Sequence, residues 1–262
     1  MLNTDQNDLI LSSQEIKYLI ISGNILSQAL SEVVSAVKPG INGSALDKIA
    51  EQSIRRQGGK PSFLNYGERD NLFPSTICLS INDEVVHGIP SGKTVKDGDL
   101  VSIDIGAEYK GIFSDMAKTV AVGDNISISQ KQLLKTTRES LSIGIKYALA
   151  GNFTGDIGHQ IEKYVLKNGF SVVKSLVGHG IGRAPHQDPP VPNYGSKKSG
   201  MKLVPGMAIA IEPMVNSGKS DVITSKDGWT VRTYDGKASA HFEHTVLITG
   251  SKPIIITKSK KG

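Results

Sequence analysis

Asp104 and Asp115 stand eleven residues apart in VSIDIGAEYKGIFSDMAKTV (101–120), a stretch that reads as two strands joined by a turn. Val101, Ile103 and Ile105 alternate with Ser102 and Asp104, so Asp104 takes the strand face opposite its apolar neighbours. Ala107, Glu108, Tyr109, Lys110 and Gly111 supply the turn, and Asp115 falls near the start of the returning strand. The two carboxylates can then face each other across a hairpin. Taken alone, either aspartate is an ordinary strand-edge or turn residue. Glu212 is harder to explain that way, because MAIAIEPMV (207–215) is strongly apolar and contains no Arg or Lys to pair with it. A buried carboxylate is costly unless it is paired or holds a metal. In SAHFEHTVLIT, Ser239, His241, Glu243 and Thr245 are expected on one strand face, with Ala240, Phe242, His244 and Val246 on the other.

Six histidines complete the inventory. His179 lies between Gly178 and Gly180, small neighbours that let a ligand approach the backbone. His87 occurs in NDEVVHGIP and His186 in APHQDPP; His159, inside an amphipathic helical pattern, is read as structural. The single cysteine, Cys78, excludes an internal disulfide framework and CxxC-type zinc sites, so a metal here would be held by carboxylates and imidazoles. That donor set suits hard divalent cations.

These side chains need a scaffold, and 262 residues with 38% hydrophobic content suffice for one large domain or two fused halves. Ser12 followed by Glu15 signals a capping box, and apolar residues then recur at helical spacing from Ile16 to Val37, stopped by Pro39-Gly40. A second helix is expected from Ser44 to Gly58-Gly59, then strands at 75–81, 100–107 and 116–122. The plan recurs with helices at about 130–150 and 154–168 and strands from Ser171. At a spacing of 111, Gly40 matches Gly151, Leu46 Ile157, Ala50 Ile161, Ile54 Val165 and Gly58 Gly169. Glu212 follows Asp104 by 108 residues, which suggests equivalent strands in halves at about 12–122 and 130–250. A duplicated α/β unit places its site where the halves meet.

The formal charge of +5 is gathered at Lys197, Lys198 and Lys202 and at Lys258, Lys260 and Lys261. Such clusters permit contact with nucleic acid or the ribosome, although a solvated loop and a frayed basic tail (251–262) are the favoured reading. Neither a secretory signal nor a run of about 20 apolar residues is evident, so a cytoplasmic protein with no membrane contact is expected.

INDEVVHGIPS, DIGAEYKGIFSD, VGHGIGRAPHQDP, IAIEPMVN and SAHFEHTVLIT, in this order, resemble the motif set of the type I methionine aminopeptidases from about Leu9 to Gly250. The resemblance implies the α/β (α+β) "pita-bread" fold, pseudo-two-fold with helix-helix-strand halves around a central antiparallel sheet. It implies two divalent metal ions (Co, Mn, Fe or Zn): Asp104 is similar to a terminal ligand of one, Asp115 and Glu243 to bridging ligands, and His179 and Glu212 to ligands of the second. By the same resemblance Glu212 manages the proton of the attacking water, His186 polarises the scissile carbonyl and His87 contacts the scissile amide. Phe63, Tyr66, Phe73, Cys78 and Trp229 look like the walls of a methionine pocket. The implied activity removes the initiator methionine from nascent peptides when the second residue is small, and a monomer is expected.

Three features depart from the pattern: GERDNLF (67–73) reads as a longer loop, Pro185 replaces a bulky aromatic, and His241 stands where glutamine is more usual. A prolidase shares fold and ligand type but resembles a chain with an extra N-terminal domain. A pita-bread binding protein without catalysis would lack the ligands that this chain retains.

Overall fold

The structure is a computed structural model that describes residues 6–258. Four helices back two hairpins. The first helix, α1 (Ser13–Ala36), opens on the expected capping box: Glu15 N–H donates to Ser12 Oγ at 3.3 Å and Ser12 N–H to Glu15 Oε2 at 2.7 Å. The second, α2 (Gly43–Arg56), begins one residue early because Asn42 Oδ1 accepts from Ser44 N–H. Only glycine fits at its first position, since a Cβ on Gly43 would lie 2.2 Å from the Pro90 carbonyl oxygen. A reciprocal Ser127/Gln130 cap starts α3 (Ile128–Tyr147) ahead of the expected 130. The fourth, α4 (Thr154–Lys167), repeats the span of α2 at the spacing of 111, and Gly40/Gly151 and Gly58/Gly169 share positive φ angles.

The first hairpin joins Leu100–Tyr109 to Ile112–Ala121, with Tyr109 paired to Ile112. Its turn is therefore two residues rather than five. Lys110 and Gly111, at φ 51° and 80°, take the left-handed conformation of both central positions in a twist-matched tight turn. Val101, Ile103 and Ile105 pack with Leu26, Leu30, Leu46 and Ile54 of α1 and α2. Alternation sends Asp104 to the far face, and the register Asp104↔Ala117, Gly106↔Asp115 makes Asp104 and Asp115 diagonal neighbours there.

The second hairpin is interrupted. Ala208–Ile211 pairs with His244–Leu247, and Met214–Asn216 with Ser239–His241, so Glu212-Pro213 and Phe242-Glu243 fall in facing breaks. Glu212 thus sits between two strand pieces, not within a continuous strand equivalent to that of Asp104; the ladder is interrupted at Phe242-Glu243, but His241, Glu243 and Thr245 still face the first hairpin while Ala240, Phe242 and Val246 enter the core, as the alternation predicts. Three contacts join the hairpins: Glu243 N–H donates to Ala117 O at 3.0 Å, Thr245 Oγ1 accepts from Asp115 N–H at 2.8 Å, and Thr119 Oγ1 accepts from His241 N–H at 2.8 Å. The strands are all antiparallel but divide into a four-stranded sheet, a five-stranded sheet and three smaller ones.

Two expectations need correction. Helix α1 is long and apolar enough, by length and composition, to cross a membrane, yet half of its apolar 18-residue window is buried, with Leu19, Leu26 and Val33 fully enclosed. The segment after Ser251 is not merely a frayed tail: Ile254–Ile255 pairs with His244–Leu247, and Ile256 packs so closely on Gly23 that a Cβ there would lie 2.4 Å from Ile256 Cγ2. Lys260 and Lys261 lie outside the described residues. Because Ile256 is only 6% exposed, Ile256→Ala is expected to lower unfolding stability by about 2–4 kcal/mol. The exposed Lys252→Ala should stay within about 0.5 kcal/mol of the parent, both read from denaturant midpoints.

Candidate metal centre

The diagonal pair and the facing breaks converge on one acidic cluster. Oxygen atoms of Asp104, Asp115 and Glu243 lie within 4.8 Å of one another, and ligand atoms of His179, Glu212 and Glu243 form a second such group. Glu243 belongs to both, the arrangement that two neighbouring cations need. Asp104 Oδ1, Asp115 Oδ1 and Glu243 Oε1 are buried with no hydrogen-bond partner among the described residues. Burial pushes the Asp104 carboxyl up to about 6, and burial together with the neighbouring carboxylates pushes Asp115 and Glu243 well above their ordinary range. Glu212 goes the other way: burial raises it, but the contact with His241 and the charge of His179 outweigh this and hold it below its ordinary value.

His179 is carried by the short strand Gly178–Gly180. Its glycine neighbours serve strand packing rather than ligand approach, since a Cβ on Gly178 would meet Ala210 O at 2.4 Å and one on Gly180 would meet Asp188 O at 1.9 Å. The His179 Nδ1–H donates to Gly180 O at 3.0 Å, which leaves Nε2 bare and 3.5 Å from Glu212 Oε1. Its ring lies 4.3 Å, centroid to centroid, from that of His186. Burial first, and His179 second, hold the His186 imidazole down at about 4; burial lowers that of His87 as well, so both are neutral at pH 7.

A cavity of about 340 Å³ opens beside this cluster, lined by Phe63, Tyr66, Phe73, Cys78, His87 and Trp229 together with all five predicted ligands and His186. Every site residue expected from the sequence therefore reaches one place. The segment 67–73 folds as a small hairpin, Gly67–Glu68 against Asn71–Leu72, and this holds Phe73 N–H on Tyr66 O at 2.7 Å. Trp229 is fixed from the same hairpin by its Nε1–H, which donates to Asn71 Oδ1 at 3.0 Å. His87 adopts φ 57°, an unusual backbone for a side chain with a Cβ, and belongs to neither carboxylate group.

Sequence reasoning missed Val86, Leu176, Val177 and Met214, which complete the apolar wall. Leu176-Val177 immediately precede the His179 motif, and that adjacency was the available signal. It also missed the contact of Tyr66 Oη with His186 Nδ1 at 2.8 Å. His159 lies outside the cavity with Nδ1 on Gly195 O, and His244 turns away from it to Thr257.

Carboxylates so crowded and so dry must at neutral pH either hold protons or surround cations, and neutral imidazoles beside an open pocket complete the outline of a metal-dependent hydrolase. Comparison with known proteins agrees. The profile of metallopeptidase family M24 matches residues 17–250. The methionine aminopeptidase of Clostridium perfringens is 47% identical, covering 96% of this chain and 99% of its own length. The crystal structure of methionine aminopeptidase from Thermotoga maritima superposes with a TM-score of 0.92 at 40% identity, covering 95% of this chain and 99% of that one. A Xaa-Pro dipeptidase from Bacillus anthracis gives 0.78 at 26% identity, and this chain spans only 63% of it. The chain belongs to metallopeptidase family M24 and, within it, to the methionine aminopeptidases.

The raised carboxyls predict how the metal-free protein responds to pH. A carboxyl whose folded value exceeds its unfolded one contributes stability at low pH that is lost as pH rises through the folded value. For Asp104 that window runs from 3.8 to about 6, and for Asp115 and Glu243 it reaches higher. The depressed His87, His186 and His244 act oppositely, but only below their unfolded value of 6.5. Chelator-treated protein is therefore expected to melt at a lower temperature at about pH 8 than at about pH 6.5, and added Mn²⁺ should remove the difference. A flat pH dependence in the metal-free state would contradict the charge crowding.

Proposed function

We propose that this protein hydrolyses the first peptide bond of chains that begin with methionine and carry a small second residue, using two divalent cations held in the cluster. The observation that supports it most is the placement of an aromatic, apolar and thiol-lined cavity directly beside five candidate ligands in two groups that have Glu243 in common. Methionine is unbranched and polarizable, and such walls suit its side chain. In this reading Asp104, Asp115, His179, Glu212 and Glu243 would hold the cations. Bound there, they would supply Lewis acidity and bring the pKa of a coordinated water toward about 7. Carboxylate-rich sites accept Mn, Fe, Co or Zn, and cellular supply decides among them.

The chain's own groups do the rest. Glu212, its carboxyl held ionised at neutral pH, takes the proton of the attacking water. Neutral His186 donates from Nε2 toward the scissile carbonyl when Tyr66 O–H occupies Nδ1. His87, which lines the same pocket beside Trp229 at 6.3 Å between ring centroids, is placed for the scissile amide. Nascent peptides are the substrates in this reading, which places the enzyme in the cytoplasm as a monomer. The exposed Lys197 and Lys198 supply a surface for ribosome contact.

Three measurements test this. Met-Ala-Ser should be cleaved with a kcat/KM well above that of Met-Lys-Ser, and equal values would refute the size limit. Asp115→Ala should abolish turnover while the fold persists; full activity at saturating metal would sink the dinuclear assignment. His87→Ala should keep the parent's metal stoichiometry and lose at least about 100-fold in kcat with little change in KM, because its contact counts for more in the transition state. Lost metal, or an unchanged kcat, would remove His87 from the reaction.

A further inference from the structure

Glu212 is approached by two imidazoles, one at each carboxylate oxygen. His179 Nε2 lies 3.5 Å from Oε1, and His241 Nε2 lies 3.4 Å from Oε2. The two rings are not equivalent. His179 spends its Nδ1–H on the Gly180 carbonyl, so its Nε2 is bare and serves as a ligand atom. His241 has no such carbonyl: both of its ring nitrogens are buried without a completed hydrogen bond, and the side chain is 1% exposed. Its Nε2 is free to carry the proton, and Glu212 Oε2 is the acceptor beside it. No ligand group of the site includes His241.

The backbone around the pair is fixed. His241 N–H donates to Thr119 Oγ1 at 2.8 Å, the Thr119 hydroxyl donates back to His241 O at 2.8 Å, and Ser102 Oγ stands 2.8 Å from the same hydroxyl. Across the strand pair His241 faces Met214, two residues beyond Glu212, which makes His241 and Glu212 diagonal neighbours at the break. The Glu212 carbonyl is held in turn by Asn193 Nδ2 at 3.1 Å. With both backbones pinned and no solvent to turn toward, the imidazole has Glu212 Oε2 as the polar atom 3.4 Å from its Nε2, while Asp104 lies near enough to feel its charge.

We propose that His241 is a positioning residue for the hydrolysis: its Nε2–H holds Glu212 Oε2, and this presents Oε1 alone to the metal and to the attacking water. The carboxylate is thereby kept from rotating away from His179. Fixing a ligand from behind raises metal affinity and sets its geometry, and removing such a partner usually costs about 10–100-fold in affinity or activity.

The inference rests on Glu212 being a ligand, and the test separates the two ideas. Metal-free parent, His241→Phe and His241→Gln are titrated with Mn²⁺ by calorimetry, and each is assayed on Met-Ala-Ser. If the parent takes up no Mn²⁺, the site assignment itself fails and this proposal with it. The expected result is that His241→Phe binds the parent's number of ions, holds the weaker one at least about 10-fold less tightly, and loses at least about 10-fold in kcat with KM little changed. His241→Gln should recover most of both, because its side-chain amide also offers an N–H to Oε2. If His241→Phe does not fold, His241→Leu takes its place under the same criteria. A reduced number of ions would make His241 a ligand, and unchanged affinity and kcat would make it packing; either overturns the proposal. So would a His241→Gln variant as impaired as the apolar one.

Discussion

Like charges forced together out of water govern this structure. Asp104, Asp115 and Glu243 are at most 8% exposed and carry oxygens without partners, an arrangement that would be strongly destabilising if all three were ionised and uncompensated. A fold can carry such a cluster only if the rest of the molecule supplies enough stability to hold the groups in place. The two helix-backed cores supply it. Each half buries its own apolar face, Val101, Ile103 and Ile105 beneath α1 and α2, and Ile209, Ile211 and Val215 beneath α3 and α4. What remains is the opposite face of each hairpin, and the site is built there.

Duplication alone would not produce the site, because two copies of one intact hairpin would present two separate carboxylate pairs. The second hairpin departs from the first at Glu212-Pro213 and Phe242-Glu243, and both departures face the cluster. Pro213 lacks an N–H for the ladder, so the strand must break there. The freed Glu243 N–H crosses to Ala117 of the first hairpin, and Thr245 closes on both the N–H and the carbonyl of Asp115. An interruption in one sheet has become the contact that draws the two halves' ligands within reach of each other.

The sequence made the ligands legible for a physical reason. A carboxylate in MAIAIEPMV contradicts its surroundings, and such contradictions tend to mark function. The helices were equally readable, since caps and apolar spacing are local, though the Ser127/Gln130 box was overlooked and the start of α3 was placed late. Harder to see was whatever depends on partners distant in the chain. Period-two alternation cannot show that Glu243 leaves its strand, nor that the glycines around His179 make room for Ala210 and Asp188 rather than for a ligand. The role of Ile254–Thr257 as a paired strand and buried plug is of the same kind: a short apolar run followed by lysines looks like a tail until Gly23, more than 200 residues earlier, provides the slot for Ile256.

The imidazoles show how one residue type is made to do different work by the atom that occupies its second nitrogen. A backbone carbonyl on Nδ1 of His179 leaves Nε2 as a lone pair; a phenol on Nδ1 of His186 permits Nε2 to be a donor. His87 is set apart by backbone rather than by hydrogen bonding, its positive φ turning the side chain into the pocket from a segment that contributes no ligand. Low dielectric keeps His87 and His186 neutral, so neither adds positive charge beside a cluster whose chemistry suits cations. Burial thus acts in opposite senses within one cavity: it crowds the carboxylates until they demand cations, and it discharges the neighbouring histidines so that the cations are tolerated. Both effects come from the same apolar walls, so the surface that shapes the cavity also sets the electrostatics of the acidic cluster beside it.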